Sequence, residues 1–134
     1  MKRLVTLLLA FFTTALFAGP AAADSTPGEF IWSVSVPDGF TREEVKDLII
    51  MTVAGRSWGL REKTDEKIVA HLKHRSNEAT VTLLYNEKKV DLYSVGYEIN
   101  KRTGERKKPE QPTGWLNNLQ SDLNKKINQA TATK

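Results

Sequence analysis

Residues 4–19 form an uncharged, mostly apolar run behind Lys2 and Arg3, and they lead through Pro20 into Ala21, Ala22 and Ala23. A basic start, an apolar stretch of this length and a small-residue end read as an export signal cut after Ala23. From Asp24 the chain turns polar, through Ser25, Thr26, Pro27, Gly28 and Glu29, so no apolar continuation remains to anchor a mature domain. Taking 23 residues from 134 leaves 111, enough for one compact domain and too few for two. The expected layout is a signal peptide over 1–23, a polar leader over 24–29, a single domain over 30–128 and a flexible tail over 129–134.

Charge and cysteine usage narrow the chemistry. The formal charge of +4 includes Lys2 and Arg3, so loss of the leader brings it to +2. A near-balanced chain lacks the electrostatic footprint that nucleic acid demands, and export argues against that partner as well. The chain has no cysteine. Thiol catalysis, thiolate metal sites, disulfides and lipidation at an N-terminal cysteine are therefore all excluded.

Along the mature chain, Phe30, Trp32, Val34 and Val36 recur at period two and predict a first strand with those four side chains on one face. Pro37, Asp38 and Gly39 signal a turn. Thr41 and Glu44 then have the spacing of a capping box, flanked by Phe40 and Val45 at the spacing of a hydrophobic staple. The helix starting at Arg42 buries Val45, Leu48, Ile49, Thr52 and Val53 as one stripe and ends at Gly55. Trp58 and Leu60 suggest a short strand. Ile68, Ala70 and Leu72, then Ala79, Val81, Leu83 and Tyr85, then Val90, Leu92 and Ser94 give a three-stranded antiparallel meander. Residues 100–113 read as a mobile basic loop. Thr113 is placed to cap a last helix whose stripe is Trp115, Leu116, Leu119, Leu123 and Ile127.

Two amphipathic helices with one stripe each, and strands with one apolar face, predict an α+β domain: two helices packed on one face of an antiparallel sheet of three to five strands. Trp32, Trp58 and Trp115 come from three separate segments and are read as core, with ligand stacking as the alternative.

Signals for catalysis are sparse. His71 and His74 lie three apart in one strand and point to opposite faces, so they cannot share a metal ion. There is no Gly-x-Ser-x-Gly elbow, no phosphate-cradling glycine spacing and no carboxylate pair set apart as acid and base. The expectation is therefore no catalytic residue, no metal and no cofactor. Interaction candidates are His71, Lys73 and Tyr93 on the open sheet face, together with Lys101, Arg102, Arg106, Lys107 and Lys108 in the basic loop.

Several spacings together resemble a group of small exported bacterial proteins, many of them lipoproteins. They are Ala54 and Trp58 after the first helix, residues 75–81 (Arg-Ser-Asn-Glu-Ala-Thr-Val) entering a strand, Tyr85 at its end, Leu92-Tyr93-Ser94 in the next, and Trp115-Leu116-Asn117-Asn118-Leu119 in the last helix. The likeness covers residues 45–123. In the group's arginine-x-histidine-x-alanine segment this chain has Asn77 in place of the histidine. The resemblance implies export and the α+β architecture, and it implies no reaction.

The function expected is that of a non-catalytic soluble exported domain, periplasmic or extracellular, that binds a protein or envelope component with no membrane span after signal cleavage. The alternatives are a secreted inhibitor or effector acting through the 100–113 loop, and a small envelope hydrolase.

Overall fold

Thr41 sets the entry to the first helix. In this computed structural model, which describes residues 27–134, its hydroxyl accepts from the Glu44 amide at 3.1 Å while the Glu44 carboxylate accepts from the Thr41 amide at 2.9 Å. The capping box expected from the sequence is thus closed on both sides. The expected export signal and the start of the expected leader, up to residue 26, lie outside the described residues.

The element order is β1 (Glu29–Ser35), α1 (Arg42–Gly55), β2 (Gly59–Lys63), β3 (Lys67–His74), β4 (Asn77–Tyr85), β5 (Lys89–Ile99), β6 (Arg106–Pro109) and α2 (Thr113–Ala132). The strands make one antiparallel sheet in the order β1-β5-β4-β3-β2, with β6 also paired to β5. The architecture is α+β, as expected, and the sheet has six strands rather than three to five. The addition beyond that range is β6, which carries no apolar alternation of its own.

One face of the sheet is covered by both helices. Ile68, Ala70, Ala79, Val81, Leu83, Val90 and Leu92 are buried against Val45, Ile49 and Val53 of α1 and Leu116, Leu119, Leu123 and Ile127 of α2. The helices run antiparallel. Arg56 at the end of α1 holds Asp122 of α2 through two hydrogen bonds, and Lys134 meets Glu44 at 2.9 Å beside the start of α1. The α2 helix therefore continues to Ala132, past the boundary placed at 128, and residues 129–132 are helical where a flexible tail was expected.

Two local expectations are corrected. Phe30 does not share a face with Trp32. A bulge at Ile31 shifts the register, pairing Phe30 with outward Tyr93 and Trp32 with inward Leu92. The second correction concerns α2, which has Pro112 at its N-cap position and no side-chain cap, so Thr113 is its first helical residue. At the end of α1 the expected boundary holds: Gly55 is the last helical residue, and Ser57, at φ 69, takes the left-handed position. The Ser57 amide donates to Ala54 and the Trp58 amide to Val53, which is a Schellman motif with serine where glycine is usual.

Gly96 controls how the chain returns from β6 to α2. It is buried on the helix side of β5, and a Cβ there would lie 2.5 Å from the Glu110 carbonyl oxygen. The Glu110 amide donates to the Gly96 carbonyl at 3.0 Å, so the two backbones touch directly. Only a residue without a side chain permits that crossing.

Candidate functional site

Strand pairing arranges the open face, the side of the sheet away from the helices, as rows. One row runs Phe30, Tyr93, Thr82 and Val69 across β1, β5, β4 and β3. A neighbouring row carries Asp91 and Leu84, and the row on the other side carries Val95, Thr80 and His71. Phe30 is 51% exposed, and Leu84 and Val95 are each 36% exposed. The Phe30 ring meets Tyr93 edge to face, with centroids 5.5 Å apart. Apolar side chains from four strands therefore share the open face on a hydrogen-bonded scaffold, with Thr82 between Tyr93 and Val69.

Beside these side chains lies a polar network that ties four strands together. The His71 ring nitrogens lie 2.8 Å from Arg61 Nη2 and 2.8 Å from Glu78 Oε2. Arg61 can only donate, so Nδ1 of His71 accepts, and Nε2 carries the proton that goes to Glu78. The second oxygen of Glu78 accepts from Arg106 Nε at 3.0 Å. The Arg106 guanidinium also sits 4.3 Å from the centre of the Tyr97 ring. Arg106, with His71 adding to the effect, holds the Glu78 carboxyl at about 2, far below its ordinary value. The same contact raises Arg106. Both ring nitrogens of His71 are engaged, so this histidine acts as a bridge between strands and offers no free base.

These contacts change the reading of the basic segment. It is a hairpin that pairs with β5, in place of the expected mobile loop. Arg106 pairs with Glu78, and Lys107 and Lys108 reach Glu98 at 3.5 and 3.7 Å. Asn100 closes the turn by accepting from the amides of Arg102 and Thr103. Lys101 and Arg102 lie exposed at the tip, without an ion pair among the described residues. Lys73 stands on the open face and donates to the Gly104 carbonyl at 3.3 Å, which links the hairpin tip to β3.

The structure thus brings His71, Lys73, Tyr93 and Arg106 onto one face. It leaves Lys101 and Arg102 at the hairpin tip, and Lys107 and Lys108 on a strand whose charge Glu98 offsets. Sequence reasoning missed Phe30, Arg61, Glu78 and Tyr97. Glu78 had a readable signal: a two-residue turn at Arg75 and Ser76 pairs Lys73 with Glu78 and His71 with Thr80, setting Glu78 diagonally beside His71. Arg61 had none, because it reaches His71 from the bulge of β2.

Among the described residues, no group of three or more histidine and acidic side chains is placed to hold a metal ion, and no helix is long and apolar enough to cross a membrane. Comparison with protein-family models, with curated proteins and with solved structures finds no match to this chain.

Proposed function

We propose that this chain is an exported, non-catalytic binding domain that docks a protein partner on its open sheet face. The observation that carries this reading is the band of exposed Phe30, Leu84 and Val95 with half-buried Tyr93 among them, on strands that pairing holds rigid. A rigid sheet loses little conformational entropy on binding, so apolar contact area there converts into affinity more fully than on a loop. The charges beside the band set the partner's chemistry. Lys73 and Arg106 stand at one end, and Lys101 and Arg102 extend from the adjoining hairpin, so the surface fits an apolar patch with an acidic rim. The apolar leader over residues 4–19 supports a partner in the envelope or outside the cell.

The test is capture of binding partners from envelope extract by the full chain and by two variants shown by circular dichroism to be folded. Tyr93→Ala is expected to lose the partner. Lys101→Ala/Arg102→Ala is expected to keep it, with a slower on-rate that becomes equal to wild type at high salt. Normal capture by Tyr93→Ala combined with complete loss in the hairpin variant would replace the face with the hairpin as the docking element.

A further inference from the structure

The helix side of the molecule carries a concave feature, remote from the open face. A cleft of about 380 Å³ lies between the end of α1 and the first turns of α2, and its walls include Ser57, Trp58, Leu72, His74, Trp115 and Asn118. That volume lies within the range of small-ligand sites. Trp58 and Trp115 meet at 85° with ring centroids 5.9 Å apart. Trp58 is buried and Trp115 is partly open, and a perpendicular pair leaves ring surface free that a stacked pair would cover.

Polar groups surround this aromatic surface with their roles already assigned. Arg75 Nε donates to His74 Nε2 at 3.1 Å, so neutral His74 carries its proton on Nδ1 and offers that N–H as a donor. Arg56, also in the cleft wall, is held by Asp122 through Nε and Nη2, which fixes the guanidinium plane and leaves Nη1 to donate. The Asn118 amide and the Ser57 hydroxyl each supply both a donor and an acceptor. Ser57 has a further peculiarity: it occupies the left-handed position of the Schellman motif, where glycine would be the less strained choice. Ser57 thus places a hydroxyl at the cleft wall at the cost of backbone strain that glycine would relieve.

We propose that this cleft binds a sugar ring. The C–H face of a pyranose packs on the partly open indole of Trp115, which buried Trp58 supports edge to face, while its hydroxyls exchange hydrogen bonds with Ser57, His74 and Asn118. The polar ring around the aromatics decides against a purely apolar ligand, which would leave those groups unpaired. The charge decides against a cation, because Arg56 already takes up the Asp122 carboxylate and holds its pKa below the ordinary carboxylate range. The site is separate from the open face, and either can fail without the other.

The test is titration of the isotope-labelled full chain with maltose, cellobiose, chitobiose and digalacturonic acid, following the three indole N–H signals by NMR. Saturable movement of the Trp58 and Trp115 signals with at least one sugar is expected. The Trp32 signal is expected to stay still, because its Nε1–H is buried on the Leu116 carbonyl at 2.9 Å. With the sugar that binds, Ser57→Gly is expected to raise the unfolding midpoint yet weaken binding at least about fivefold, and Asn118→Ala to weaken it similarly at unchanged stability. The proposal is overturned if no sugar gives a saturable shift, if all three indoles move together, or if both variants bind like wild type.

Discussion

His71 Nε2 lies 2.8 Å from Glu78 Oε2, across a hairpin whose turn is only two residues long. This contact joins β3 to β4, and the other oxygen of the same carboxylate joins β4 to β6 through Arg106. Glu78 is therefore the point where the meander and the basic hairpin are tied.

The sign of the resulting pH dependence follows from the depressed carboxyl. A carboxylate held at about 2, against an ordinary 4.5, adds stability that is fully present above about pH 4.5 and is lost as pH falls towards 2. With screening by solvent at this surface site, Glu78→Gln is expected to cost on the order of 1 to 2 kcal/mol at pH 7 and progressively less below pH 4. Urea unfolding of both proteins at pH 7, 4 and 3 measures the difference. An equal gap at all three pH values would contradict the network as drawn.

Phe30 and Glu78 show where the sequence was legible and where it was not. Period-two alternation identified the inward faces of β3, β4 and β5, and the capping box located α1, because those signals are local and the structure uses them locally. Phe30 defeats the same rule, since one bulge residue reverses every assignment on its far side. The strand β6 was invisible because its residues, Arg106 to Pro109, pair through backbone and ion pairs and bury no side chain. The open-face network is a product of register between four strands, and composition alone does not carry register.

The crossing at Gly96 gives a prediction that depends on space alone. Gly96→Ala sets a methyl group 2.5 Å from the Glu110 carbonyl, so backbone must move in the segment leading to α2. Overpacking of this kind costs about 1 to 3 kcal/mol, which thermal unfolding would read as a clear drop in midpoint. Wild-type stability would mean that residues 110–112 do not lie against β5.

Docking of α2 is checked by Leu119, which is buried between helix and sheet. Leu119→Ala is expected to cost roughly 2 to 4 kcal/mol, through lost transfer energy and the cavity left behind. Chemical denaturation gives the value, and a loss below about 0.5 kcal/mol, the scale of a surface substitution, would show that α2 is undocked.

The open face as the docking surface is tested most directly by site-specific photo-cross-linking in cells that express the full chain. A photoreactive phenylalanine analogue replaces Val95, exposed on the open face, or Asn128, exposed on α2. One discrete cross-linked protein is expected from position 95, lost when Tyr93→Ala is added, and none from position 128. The same product from both positions, or from position 128 alone, would contradict partner binding through the sheet face.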